Sequence, residues 1–160
     1  MNGKRILVPL DLEQNSLDGL EFVATLAGEM PVFATLLYVA NLNISAPERR
    51  VYDELCRENE RRLRALAKLF FTGELPQVRV RVGKPHEEIL TEAEAGQAEL
   101  IVMASRKAPR EKWRFRPTTV ERVVRDAPCL TLVLPRTWKI TAEQYRQATR
   151  PASVAVCEPS

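Results

Sequence analysis

The residues best placed to do chemistry are basic side chains in one short segment, Met103 to Val123, which reads MASRKAPREKWRFRPTTVERV. The segment begins at the end of an apolar run and continues into a helical pattern. A loop between a strand and a helix is where many α/β proteins hold a phosphate, and guanidinium groups pair well with phosphate oxygens. The pattern therefore indicates an anion site built from side-chain cations. Because charge runs are usually solvated, a plain solvated loop is the alternative. The basic residues are Arg106, Lys107, Arg110, Lys112, Arg114 and Arg116.

Trp113 and Phe115 lie among these cations, an arrangement also found where proteins stack single-stranded nucleic acid. The chain as a whole carries 24 basic and 21 acidic residues, for a net charge of +3. A nucleic-acid protein generally has a much larger excess of positive charge. The composition therefore argues against a nucleic-acid partner.

The remaining material for catalysis is sparse. His86 is the one histidine, and three cysteines lie far apart in the sequence. This set offers neither a zinc site nor a nucleophile with a base and an orienting acid. His86 precedes two glutamates in the first turn of a helix, where a surface or capping role is expected. A phosphoryl reaction could use only Asp11 and Ser105, so we expect no enzyme, with weak ATP hydrolysis left open.

The elements that must position these residues alternate between strand and helix. Four compact apolar runs predict buried strands, and a fifth run, QVRVRV, alternates valine with polar residues and predicts a half-exposed edge strand. Four segments with helical spacing lie between them. The predicted strands are 4–10, 31–40, 76–83, 99–105 and 129–135, and the predicted helices lie within 15–30, 45–70, 84–98 and 118–128.

Terminal signals set the ends of these helices. Ser16 is the expected N-cap of the first helix, which Gly28 ends. Ser45 and Glu48 have capping-box spacing before the second helix, and Thr118 and Glu121 have it before the fourth. Thr118 is thus well explained as an N-cap without any ligand.

The strand and helix order predicts an α/β fold with a parallel sheet and helices on both faces. With 160 residues, the chain fits one domain, 4–136, followed by a C-terminal extension, 137–160, that is partly helical or flexible. Neither a signal peptide nor a membrane-spanning run is apparent, so we expect a cytoplasmic protein without membrane contact.

Three stretches together resemble the universal stress protein family. They are KRILVPLD at the start, VRVGKPHEEILTEAEAGQAELIVMAS in the middle and VERVVRDAPCLTLVLPR at the end. The resemblance implies a five-stranded flavodoxin-like sheet of order 3-2-1-4-5, of the adenine nucleotide alpha hydrolase-like type. It also implies a homodimer formed through the last strand, from Cys129 to Leu134.

Many members of that family bind ATP through G-x2-G-x9-G-[ST]. Laid on this chain, the glycines fall on Ala104, Lys107 and Pro117, and the hydroxyl falls on Thr118. Proline has no N–H and fixes φ, so one main-chain donor of the family's phosphate site cannot exist here. The candidate nucleotide contacts that the resemblance implies are Pro9, Leu10, Asp11, Val39, Met103, Ala104, Ser105, Arg106, Lys107, Pro117, Thr118 and Thr119.

The resulting functional hypothesis is a non-catalytic cytosolic stress-response protein. It acts as a dimer through partner proteins and needs no cofactor, with ATP binding weak or lost. The alternative is a regulatory switch that binds ATP or AMP through the remodelled basic loop 105–117. In that alternative Asp11 and Val39 contact the nucleoside, whereas otherwise Asp11 only bonds local amides.

Overall fold

The computed structural model describes residues 2–12, 17–41, 48–105 and 117–135. These residues form five strands and four helices that alternate along the chain, as the sequence predicts. Their bounds are β1 Lys4–Leu10, α1 Leu17–Ala27, β2 Val32–Ala40, α2 Arg49–Phe70, β3 Gln77–Val82, α3 Pro85–Ala95, β4 Leu100–Ala104, α4 Thr119–Asp126 and β5 Leu130–Leu134.

The strands form one parallel sheet of order β3-β2-β1-β4-β5, which confirms the expected fold. β1 is central, and the described chain leaves β3 and β5 at the two edges. β1 is in register with β2 from Lys4 opposite Val32, and β4 with β5 from Leu100 opposite Leu130. The first two crossovers therefore run towards β3, and the last two run back towards β5.

Right-handed crossovers that run in opposite directions place their helices on opposite faces of the sheet. One core lies between the sheet and the first two helices, and includes Leu20 of α1 and Leu63 of α2. A second core lies between the sheet and the last two helices, and includes Ile89 of α3 and Val123 of α4. The prediction of helices on both faces is confirmed.

β3 is the edge strand that its alternating sequence predicts. Its valines Val78 and Val80 pack in the core beneath α2. On the other face Arg81 donates from Nε to Glu92 of α3 at 2.6 Å and from Nη1 to Glu88 at 3.3 Å. The hydrogen bond with Glu92 raises the pKa of the Arg81 guanidinium above its ordinary value. Ion pairs thus cover the face of β3 that α3 only partly shields.

Helix ends agree with the sequence in most places. Gly28 follows α1 and donates to Thr25 O at 3.1 Å, and Pro85 opens α3. The predicted capping box before α2 is wrong, because Glu48 is itself the N-cap of that helix and makes no side-chain capping bond. Ser16, Ser45 and the C-terminal extension 137–160 lie outside the described residues. None of the helices within the described ranges is long and apolar enough to cross a membrane.

We expect the stability of the fold to depend on the inner face of α2. Leu63 is fully buried, whereas Leu69 on the same helix is 76% exposed. Leu63→Ala should lower the free energy of unfolding by about 2–5 kcal/mol, because it removes buried apolar contacts and leaves a cavity. Urea unfolding followed by circular dichroism measures the change.

Leu69→Ala is the matched control, and should change the free energy of unfolding by less than about 0.5 kcal/mol. Similar losses in both variants would contradict this packing of α2 on the sheet.

Candidate functional site

The candidate site is the region at the carboxyl ends of β1 and β4. The chain leaves β1 for α1 on one face of the sheet and leaves β4 for α4 on the other. At such a switch point neither connection covers the ends of the strands, and α/β proteins bind ligands there. The position agrees with the strand ends at which the sequence places the candidate residues.

β1 pairs with β2 along its whole length, from Lys4 to Leu10. Its pairing with β4 joins Ile6 to Leu100 and Leu7 to Ile101. Pro9 follows two residues later and has no N–H to contribute to the ladder.

The structure places the β1 candidates in different environments. Leu10 is buried in the core beneath α1, whereas Pro9 and Asp11 are partly exposed. Val39 of β2 is also partly exposed, and lies one residue beyond the partner of Leu10. Asp11 and Val39 therefore lie at the same end of neighbouring strands, as the nucleoside-contact prediction requires.

Two of the candidate residues at the end of β4 make contacts that hold the fold together. Met103 is buried in the second core. The Ser105 amide donates to the carbonyl of Leu134 at 2.7 Å, which ties the end of β4 to β5. Ala104 is partly exposed. The Ser105–Leu134 bond could not be predicted from the sequence, because it depends on the register of the last two strands.

The N-terminus of α4 is capped by the side chains of Thr118 and Glu121. Thr118 is the N-cap, and its Oγ1 accepts from the Glu121 amide at 3.2 Å. In return, the Thr118 amide donates to Glu121 Oε2 at 2.8 Å. The predicted capping box is confirmed. Pro117 is exposed immediately before it, and Thr119 begins the helix.

Arg106, Lys107 and the rest of the basic segment up to Arg116 lie outside the described residues. The proposed side-chain anion site therefore stays a prediction. Thr118 is the residue of this site whose role the described geometry explains completely, and that role is structural.

Among the described residues, the other candidate side chains form no second site. His86 Nε2 lies 3.8 Å from Glu87 Oε1, and the His86 side chain is 17% exposed. Burial raises the pKa of the Cys129 thiol, which suits its place beside the second core. Within the described ranges no group of three or more His, Cys, Asp or Glu side chains could hold a metal ion.

The chain matches a known protein family in sequence. Residues 3–135 match the model of the universal stress protein family, so the chain belongs to that family, as its three characteristic stretches indicate. Comparison with curated protein sequences gives no match.

Solved structures are similar over most of the chain. The hypothetical protein MJ0577 is 23% identical with a TM-score of 0.68, covering 85% of this chain and 98% of its own. Universal stress protein UspA from Lactobacillus plantarum is 21% identical with a TM-score of 0.64, covering 84% and 99%. A universal stress protein in complex with cAMP is 17% identical with a TM-score of 0.61, covering 84% and 98%. At these identities the likeness establishes the fold.

Loss of the cap tests the structural role of Thr118. Thr118→Ala should lower the free energy of unfolding by about 1 kcal/mol, because the Glu121 amide loses its acceptor. Thr118→Ser should keep most of the stability, since serine supplies the same oxygen.

Thr119→Ala, one residue further on, is the control for the loss of a threonine. Thermal unfolding by calorimetry compares the three variants. An equal loss for Thr118→Ala and Thr119→Ala would contradict the capping role.

Proposed function

We propose that this universal stress protein family member acts in the stress response without catalysis, as a cytosolic homodimer that works through partner proteins. Its ATP binding is weak or lost. The family membership supports the stress-response role. The proposal of weakened ATP binding rests on the residues at the carboxyl ends of β1 and β4 and at the start of α4.

The observation that carries this proposal is the chemistry of residue 117. Pro117 stands immediately before the N-cap of α4, at the place of the third glycine in the family's ATP motif. Its nitrogen has no hydrogen to donate. A hydrogen bond to a charged group contributes about 1.5–3 kcal/mol, so one lost donor weakens binding substantially.

The neighbouring groups do not compensate for that loss. The Thr118 amide is held by Glu121, and the Ser105 amide is held by Leu134. Ala104 adds a Cβ where the family has bare backbone. What is left for a phosphate is the Thr118 hydroxyl hydrogen and the side chains of the basic segment.

The alternative function, a switch that binds ATP or AMP, is favoured by two observations. A protein with this fold is known in complex with cAMP. In addition, Asp11 and Val39 lie together at the carboxyl ends of β1 and β2, where a nucleoside could rest. In this alternative Arg106 and Lys107 replace the missing backbone donors.

Restoring the missing donor tests the proposal. Calorimetric titration of the unaltered protein with ATP should show no binding tighter than about 10 μM, equivalent to roughly 7 kcal/mol. Pro117→Ala should strengthen ATP binding by about tenfold, because alanine returns an N–H. The triple variant with glycine at residues 104, 107 and 117 should bind more tightly still.

Pro31→Ala, at the opposite end of the sheet, controls for the loss of a proline. Failure of the triple variant to bind ATP would contradict the account of the glycine motif. Tight binding of ATP or AMP by the unaltered protein, abolished by Asp11→Ala, would instead establish the nucleotide switch.

The proposed homodimer places the last strands together across a two-fold axis. Within the described part of the chain, β5 pairs only with β4, so its other edge is available. Leu130 at its start is 76% exposed, and Val124 on the neighbouring α4 is 51% exposed. An apolar sheet edge of this kind is usually covered by a partner, and a two-fold axis would cover both copies equally.

Leu130→Asp should therefore convert the dimer to a monomer, because it places two carboxylates at the shared edge. Sedimentation velocity measures the mass. Leu69→Asp is the matched control, since Leu69 is also 76% exposed but lies on α2. A monomer for the unaltered protein, or a dimer for Leu130→Asp, would refute this interface.

A further inference from the structure

A groove of about 810 Å³ lies against β3. Its lining includes Tyr52 and Phe71 from the α2 side, Glu88 and Glu92 from α3, and most of the stretch from Pro76 to Val82. It also continues beyond β3 to the first halves of β1 and β2. α2 and α3 lie on opposite faces of the sheet, so a groove that reaches both helices passes the outer edge of β3.

The part of this groove along β3 has unpaired backbone at its outer edge. In the described ranges β3 pairs with β2 alone, and none of the backbone hydrogen bonds outside the regular elements involves its six residues. About half of its N–H and C=O groups therefore point into the groove. Such an edge is a template for another extended chain.

The two sides of β3 differ in chemistry. Val78 and Val80 face the apolar layer beneath α2. Arg81 is held by Glu88 and Glu92, as described above. Arg79 is 55% exposed and makes only longer contacts, 3.5 Å from Nη2 to Gln77 Oε1 and 3.8 Å from Nε to Glu92 Oε1. Arg79 is thus the guanidinium on this strand with hydrogen-bonding capacity to spare.

We propose that the β3 edge binds an extended segment of a partner protein in which apolar and acidic residues alternate. The segment adds a sixth strand to the sheet, and its main chain pairs with the outer groups of β3. Side chains on neighbouring strands meet on the same face, so apolar residues lie beside Val78 and Val80, and a carboxylate lies beside Arg79.

A second copy of this chain does not suit the groove. Pairing two β3 strands would bring the arginines of both copies onto the same face, and like charges on neighbouring strands are unfavourable. This site is at the opposite edge from β5, so it is separate from the proposed dimer interface.

A labelled synthetic peptide of six residues, the length of β3, tests the proposal. In it valine alternates with glutamate, and a matched peptide carries lysine in place of glutamate. Fluorescence anisotropy with the full chain should show saturable binding of the glutamate peptide. Arg79→Glu should weaken that binding by about tenfold and strengthen the binding of the lysine peptide by a similar factor.

Arg62→Glu on the exposed side of α2 is the control, and should leave both affinities unchanged. Arg79 is exposed, so its variant is expected to fold, which circular dichroism verifies. The proposal would be overturned if the glutamate peptide showed no saturable binding, or if the affinities did not depend on the charge at residue 79. The role of Arg79 would then be to prevent pairing at this edge. Self-association through β3, seen as a change of mass in Arg79→Glu, would overturn it as well.

Discussion

The central position of β1 is the constraint on which the architecture depends. β1 accepts parallel neighbours on both sides, with β2 on one and β4 on the other. Ile6, Leu7 and Val8 are consequently buried on the two faces of the sheet. Because the chain extends the sheet first towards β3 and then towards β5, right-handed crossovers divide the helices between the faces. The switch point between β1 and β4 follows directly from that reversal.

The same arrangement separates the protein's surfaces. The candidate site lies at the carboxyl ends of β1 and β4, whereas β3 and β5 provide edges at opposite sides of the sheet. The loss of ATP binding proposed above would therefore leave both edges unchanged.

Much of the fold could be predicted because the burial of each strand determines a simple pattern of apolar residues in the sequence. Continuous apolar runs such as ILV in β1 mark strands covered on both faces, and the alternation in QVRVRV marks an edge. Thr118 and Glu121 could be paired because a capping box is local. The box at Ser45 and Glu48 failed although its spacing is the same, since tertiary packing decides where α2 begins. The Ser105–Leu134 bond depends on the register between two strands that are distant in sequence, which no local pattern contains.

The central claim is that the family's phosphate site lacks a main-chain donor here, so that ATP binding is weak or lost. Native mass spectrometry tests it most directly, on the purified protein and after incubation with about 1 μM ATP, roughly a tenth of the affinity threshold above. The account predicts the mass of the polypeptide dimer without nucleotide in both samples. One adenine nucleotide retained per chain would contradict it.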